Sequence, residues 1–256
     1  MSHSSPMLDY NPLDNLPTSA ELPDSDDTPV DNELQNIIPN LLKAVLALIW
    51  ATRNDWFMGV DMGIYDRTGQ IRRTPIVPDA FLSLGVERLK GQLGRLSYVL
   101  AEENNIVPIL VLEFVSQTYG EEYGQKMTDY ARMGVLYYVI YNPDHWRRDR
   151  HEPLEVYQLI EGEYVRQPGE PVWMPEIGLG IGREVGICEQ WQRDWLYWYD
   201  EQGNRYPVPE EVISRLQQRL EMAQSQLEQE QQRIAEMESL LTKYRKRFGE
   251  LPENCF

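Results

Sequence analysis

The sequence predicts an α/β protein built on a mixed β-sheet, followed by a long C-terminal coiled-coil helix. Ile106 to Val115 is a nearly continuous apolar run, which is typical of a central strand covered on both faces. Helical spacing over Glu121 to Met133 and a β-rich run from Val135 to Tyr141 follow it. If the two strands are neighbours, strand, helix and strand in this order indicate a right-handed crossover and a parallel pair.

The N-terminal part is predicted to be an acidic arm followed by a buried helix. Residues 1–30 are rich in proline, serine and aspartate, a composition that favours disorder. A helix is expected to begin with Asp31 or Asn32 as its N-cap. Pro39 either kinks this helix or marks a fresh start. The stretch from Ile37 to Trp50 is too short and too interrupted to span a bilayer, so we interpret it as a buried helix.

The segment 31–207 is interpreted as one domain, with further strands on both sides of the central run. Two strands are expected before that run, with a turn at Asp66 to Gly69, and residues 85–105 form a variable connection. Two β-hairpins are expected after it. The four hairpin strands are Leu154 to Leu159, Glu163 to Gln167, Trp195 to Tyr199 and Arg205 to Pro207. The glycines between Ile177 and Gly182 do not fit a dinucleotide-binding pattern and are interpreted as a turn-rich strand edge.

The segment 208–248 is predicted to be a coiled-coil helix. Apolar residues recur with alternating spacings of three and four, and Glu230 interrupts the row once. The apolar members are Ile213, Leu216, Leu220, Ala223, Leu227, Ile234, Met237, Leu241 and Tyr244. About five heptads of this kind indicate a coiled coil. The alternative is a single long solvated helix that packs back on the domain.

The composition limits the possible partners. The formal net charge is −17. Residues 1–33 hold eight acids and no base, whereas residues 200–256 hold eleven acids and eight bases, so the segment between them carries −6. An acidic surface argues against strong non-specific DNA binding, but it does not exclude a metal-dependent nuclease. Two distant cysteines and the lack of a secretory signal predict a cytoplasmic protein.

Three residues carry most of the chemical information. Asp79 and Glu113 lie in segments that otherwise have the pattern of buried strands, and Lys126 follows on the predicted helix. A buried carboxylate is costly unless it is paired or binds a cation. Two acids on adjacent strands could hold Mg²⁺ or Mn²⁺, with a third oxygen from the backbone carbonyl of Phe114 or Val115. Lys126 would then orient water or stabilise developing charge during phosphodiester hydrolysis.

The same residues carry a resemblance to a known family. The chain resembles the PD-(D/E)xK nuclease superfamily and, more closely, its Uma2 branch of restriction endonuclease-like proteins abundant in cyanobacteria. The matching positions include Pro78-Asp79, Glu113 to Ser116, Lys126, Tyr130, Gly134-Val135, Tyr137-Tyr138 and Asn142-Pro143. The resemblance covers about residues 30–210. It implies a restriction endonuclease-like α-β-β-β-α-β core and a Mg²⁺-dependent endonuclease whose substrate is DNA.

One departure from the superfamily pattern bears on catalysis. Val115 stands where the (D/E)xK pattern has lysine, and in the Uma2 branch a lysine of the next helix is thought to replace it. Lys126 fits that position. Many relatives have an aspartate four residues before that lysine, and Glu122 occupies the place here.

Other residues are given weaker roles, and a second function stays open. Tyr130 is interpreted as core, and Asp61 or Glu33 as a residue that could support the site. His145 and His151 have no partner at zinc spacing. The candidate phosphate contacts, which a solvated charge run explains as well, are Arg72, Arg73, Arg147, Arg148 and Arg150. The alternative function is a weakly active or inactive nuclease-fold scaffold that acts through its coiled coil, and a homodimer through the core, the coiled coil or both is expected.

Overall fold

The computed structural model describes residues 33–66, 75–116 and 121–249. The predicted acidic arm lies outside these residues. The chain divides into two compact units, Met1–Tyr206 and Pro207–Phe256.

A six-stranded mixed sheet forms the centre of the first unit. Its strand order is β1-β3-β5-β6-β7-β8. These strands are β1 (Trp56–Val60), β3 (Ala80–Leu84), β5 (Leu110–Phe114), β6 (Tyr137–Tyr141), β7 (Leu154–Ile160) and β8 (Glu163–Arg166). Only β5 and β6 run parallel among the pairs of this sheet, because helix α2 (Gln125–Met133) carries the chain across between them. The predicted mixed sheet, its parallel pair and the hairpin of β7 and β8 are therefore confirmed.

The second predicted hairpin is confirmed only in its chain reversal, because Arg205 to Pro207 does not form a strand. Strand β11 (Trp191–Tyr199) pairs antiparallel with β10 (Leu179–Cys188), and β10 also pairs with β9 (Val172–Met174). Arg205 makes only an isolated bridge to Tyr199. Of the glycines taken for a strand edge, Gly180 and Gly182 thus belong to the middle strand of a three-stranded sheet, whereas Gly178 lies in the turn before it.

The connection 85–105 contains regular structure that the sequence did not predict. Strand β4 (Tyr98–Val99) pairs in parallel with β2 (Ile64–Tyr65), and a 3-10 helix (Leu100–Glu103) follows it. A short helix, α3 (Trp146–Asp149), lies between β6 and β7.

Helix α1 (Glu33–Ile49) packs one apolar face against β1 and β11. The indole N–H of Trp198 in β11 donates to the carbonyl of Leu42 at 3.0 Å, which fixes the two elements together. Pro39 lies inside the helix and does not start a new one. The prediction of a buried helix is confirmed, and within the described residues no helix combines the length and apolarity needed to cross a membrane.

Helix α2 follows β5 and ends at a glycine. Gly134 adopts φ 90°, a left-handed conformation that favours glycine, and its N–H donates to the carbonyls of Tyr130 and Ala131. The predicted stop at Gly134 is confirmed, whereas the helix begins at Gln125, four residues later than Glu121.

The second unit is dominated by helix α4 (Pro209–Phe248), 40 residues long. Proline at the first helical position suits the helix start, because that N–H has no partner within a helix. None of the side chains of α4 is buried.

A buried ionic cluster supports the loop before the central strand. The carboxylate of Glu103 accepts hydrogen bonds from Lys90 Nζ at 2.8 Å and from Arg95 Nε at 2.9 Å. Burial alone would raise the pKa of Glu103. The hydrogen bonds and charges of Arg95 and Lys90 together have the larger, opposite effect, so the pKa lies below its ordinary value. The cluster therefore favours the ionised carboxylate.

We expect Glu103→Gln to lower the free energy of unfolding by about 3 kcal/mol, because it leaves the buried guanidinium of Arg95 without its counter-charge. Urea unfolding at pH 7 measures this loss. Glu102→Gln, which changes a more exposed neighbour, is the control and should cost less than about 1 kcal/mol. Equal losses in the two variants would contradict the role assigned to Glu103.

Candidate active site

Asp79 and Glu113 face each other across two adjacent strands. In the antiparallel pairing of β3 with β5, Ala80 lies opposite Leu112, and Asp79 continues this register to Glu113. Both residues are buried, with 8% and 1% of their surface exposed. The backbone N–H of Phe114 donates to Asp79 Oδ2 at 2.5 Å, which holds this carboxyl group against β5.

Helix α2 supplies two partners for Glu113. Lys126 Nζ donates to Glu113 Oε2 at 2.8 Å, and the hydroxyl of Tyr130 donates to Oε1 at 2.6 Å. Lys126 and Tyr130 are four residues apart, so they share one face of the helix. The structure therefore brings together Asp79, Glu113 and Lys126, and it adds Tyr130, which the sequence had indicated only as core.

Helix α1 reaches the site through Gln35. The side-chain amide of Gln35 donates to Asp79 Oδ1 at 2.5 Å, whereas Glu33, the residue singled out from the sequence, is exposed. Asp61 contacts the site by its backbone, because its N–H donates to the carbonyl of Asp79 at 3.1 Å while its side chain is exposed. Apart from its polar position in the first turn of the predicted helix, nothing in the sequence marked Gln35.

The two carboxyl groups compete for ionisation. Burial raises the pKa of Glu113 to about 8, and the charge of Asp79 adds to the effect, although Lys126 and Tyr130 oppose it. Burial also raises the pKa of Asp79, against hydrogen bonds from Phe114 and Gln35. For Lys126, burial is the largest single effect and disfavours the ammonium, but the charges of Glu113, Asp79 and Glu122, together with the hydrogen bond to Glu113, outweigh it and raise the pKa. The site is thus short of positive charge.

Glu122 is a further acid beside this group. It is 8% exposed, and its Oε2 atom has no hydrogen-bond partner in the described part of the chain. Its charge is one of those that raise the pKa of Lys126. The hydroxyl of Tyr138 holds the backbone of Glu122 by donating to its carbonyl at 2.8 Å.

Val115 follows β5 directly and is buried. Its N–H donates to the carbonyl of Tyr141 at 2.9 Å, and its side chain packs in the core. Within residues 33–66, 75–116 and 121–249, no three histidine, cysteine, aspartate or glutamate side chains lie close enough to hold a metal ion. A cation at this site would therefore depend on the two carboxylates, with water or backbone oxygens as its other ligands.

His151, Arg148 and Arg147 of the β6–β7 connection make structural contacts. His151 stacks on Tyr123 with ring centroids 3.6 Å apart, and its Nδ1 lies 3.1 Å from Glu155 Oε2. Arg148 pairs with Asp149, and Arg147 lies over the ring of Trp146. Arg72 and Arg73 lie outside the described residues, so the expected phosphate contacts remain predictions.

Comparison with known proteins gives one family. The profile of the Uma2 family, described as "Putative restriction endonuclease", matches residues 27–188 and so includes every residue of the site above. No curated protein and no solved structure matches the chain. The matched span is well over half of the chain, and its mixed sheet with flanking helices is consistent with a restriction endonuclease-like fold. The chain belongs to the Uma2 family.

Proposed function

We propose that this protein is a Mg²⁺-dependent endonuclease that hydrolyses phosphodiester bonds of DNA. The observation that supports this most is the meeting of two buried carboxyl groups, Asp79 and Glu113, with the ammonium of Lys126. Membership of the Uma2 family also supports a nuclease function. The proposed place of action is the cytoplasm.

The donor set fits a hard divalent cation. Mg²⁺ is commonly bound by one or two carboxylates and keeps several waters, which suits a site with two acids. Burial and the charge of Asp79 raise the pKa of Glu113, because the two buried carboxyl groups cannot both ionise without cost. A divalent cation would remove that cost. Asp79, Glu113 and the backbone carbonyl of Val115 are the proposed ligands, and Mn²⁺ is expected to substitute.

When bound, the metal ion would neutralise phosphate oxygens and lower the pKa of a water molecule. The residues of the chain have separate tasks. Lys126, anchored by Glu113 at 2.8 Å and still 29% exposed, is placed to orient water or to stabilise charge at the phosphate. Tyr130 and Gln35 hold the carboxyl groups of Glu113 and Asp79 in fixed orientations through their hydrogen bonds. Val115 supplies no side-chain charge, so Lys126 is the proposed catalytic cation.

Metal binding is the first test of this function. We expect Mg²⁺ and Mn²⁺ titrated into the purified full chain to bind at one site per chain, with Mn²⁺ bound more tightly. Isothermal titration calorimetry measures both. Supercoiled plasmid should be nicked in the presence of either ion and not after EDTA is added. A protein that binds neither ion at millimolar concentration, or that cleaves in EDTA, would refute the proposed function.

A second candidate function is a scaffold that assembles through its helix. One observation favours it: helix α4 exposes its whole apolar row. In that case the nuclease fold is retained for its shape, and the replacement of the usual lysine by Val115 reflects weak or absent catalysis. The metal titration separates the two, because a scaffold needs no cation.

A further inference from the structure

Helix α4 presents an uncovered apolar row along its full length. The members of this row are between 45% and 65% exposed, except for the small Ala223, which is also exposed. In heptad terms the first core position holds Ile213, Leu220, Leu227, Ile234, Leu241 and Phe248. The second holds Leu216, Ala223, Glu230, Met237 and Tyr244. Burial of a leucine or isoleucine is favourable by about 1.5–3 kcal/mol, so a row of this length strongly favours a partner.

The charges of α4 differ between its two halves. Residues 209–229 contain four acids, Glu210, Glu211, Glu221 and Glu228, against two arginines. Residues 230–248 contain five bases, Arg233, Lys243, Arg245, Lys246 and Arg247, against three acids. The first half therefore carries −2 and the second half +2. Such a helix is electrostatically complementary to a reversed copy of itself.

We propose that α4 binds α4 of a second copy of this chain as an antiparallel coiled coil. Antiparallel pairing places the basic end of each helix beside the acidic start of the other. Parallel pairing would place Lys243, Arg245 and Lys246 beside their own copies. Both a reversed pair and a parallel in-register pair are two-fold interfaces, so the charges decide between the two orientations.

Glu230 supports the same orientation. In a parallel, in-register pair the two Glu230 side chains would share one core layer, where like charges repel. In the antiparallel pair with full overlap, Leu220 lies opposite Met237 and Leu227 lies opposite Glu230. Each Glu230 then faces an apolar side chain and is displaced along the axis from its copy. The interruption of the apolar row thus selects against the parallel arrangement.

The oligomeric state of the full chain tests whether a second copy is the partner. Light scattering after size exclusion, over a series of concentrations, should give a dimer. Leu227→Asp should weaken dimerisation by at least about hundredfold, because it places a charge in the core of the interface. Ser225→Asp, on the opposite side of the helix, is the matched control and should remain dimeric. Tryptophan fluorescence reports on the first unit, which holds every tryptophan, and should be equal in all three proteins. A monomeric wild type, or a dimeric Leu227→Asp, would overturn the proposal.

Spin-label distances test the orientation. With Cys188 and Cys255 replaced, a single cysteine is introduced as Gln218→Cys or Ser225→Cys, both on the outer side of the helix. In the antiparallel pair, a rise of 1.5 Å per residue separates the two labels along the axis by about 30 Å at position 218 and about 10 Å at position 225. The measured distance should therefore be longer at position 218 by roughly 10 Å or more. Equal distances at the two positions would show a parallel pair and overturn the proposed orientation. Both measurements are independent of metal binding and cleavage.

Discussion

Replacing Glu113 with glutamine should abolish metal-dependent cleavage and at the same time stabilise the metal-free protein at pH 8. The rate should fall at least about thousandfold, since a ligand worth several kcal/mol of charge stabilisation is lost. Stability should rise because glutamine keeps the shape of the side chain and removes a carboxyl group that is costly to ionise where it is buried beside Asp79. Plasmid nicking and thermal unfolding on the same preparations measure the two effects.

The pH dependence of the stabilisation follows from the raised pKa of Glu113. Between pH 4.5, the ordinary value, and about 8, the unfolded chain has lost the proton of this carboxyl group while the folded protein keeps it. The wild-type protein therefore loses stability as pH rises through this range, and the glutamine variant lacks this contribution. The gain should be small at pH 4.5 and largest at pH 8, where we expect a melting temperature higher by about 3 °C or more.

Glu103→Gln provides the contrast for the same measurement. The pKa of Glu103 is lowered by Lys90 and Arg95, so its contribution to stability is present above the ordinary value and is lost as pH falls. At pH 8 the two substitutions should thus change the melting temperature in opposite directions. A Glu113→Gln variant that is less stable than wild type at pH 8, without metal, would contradict the interpretation that ionisation of buried Glu113 destabilises the metal-free protein.

The site could be predicted from sequence where residue type and environment conflict. Asp79 and Glu113 stand out because each is an acid in an apolar strand pattern, and the structure buries both. Tyr130 gave no such conflict, since an aromatic residue on a buried helix face is ordinary; its position four residues after Lys126 was the available signal. Gln35 reaches Asp79 across 44 residues of chain, and no local pattern encodes that approach.

The parts of the fold that could be predicted are those formed by segments that are neighbours in the sequence. The strand, helix and strand from β5 to β6 and the hairpin of β7 and β8 are contiguous in sequence, and both were predicted. Strand β10 was missed because glycines weaken a strand pattern. Glycine occurs at these positions because other residues pack closely against the backbone. A Cβ atom on Gly186 would meet the hydroxyl of Tyr197 at 2.0 Å, and one on Gly182 would meet Pro171 at 2.9 Å. At Gly182 the neighbouring backbone of Pro171 leaves no room for a side chain, and only the folded sheet reveals this contact.

Lys126→Ala should separate metal binding from catalysis. We expect plasmid nicking to fall by about 10²–10³-fold, because the only cation that contacts Glu113 among the described residues would be removed from the reacting phosphate. Metal affinity should stay within about tenfold of wild type, since Asp79, Glu113 and the backbone of Val115 remain. Calorimetric titration and nicking assays at saturating Mn²⁺ measure the two quantities separately.

The matched control is Gln125→Ala, a change on the exposed side of the same helix turn. The Gln125 side chain donates to Asp129 at 3.0 Å and makes no contact with Glu113, so both affinity and rate should be unchanged. If Lys126→Ala cleaves as fast as Gln125→Ala, Lys126 is not the catalytic cation. Catalysis would then need a group outside the site, and the scaffold function would gain support from the same experiment. A loss of rate with metal affinity retained would instead show that the lysine of α2 performs the task that Val115 cannot.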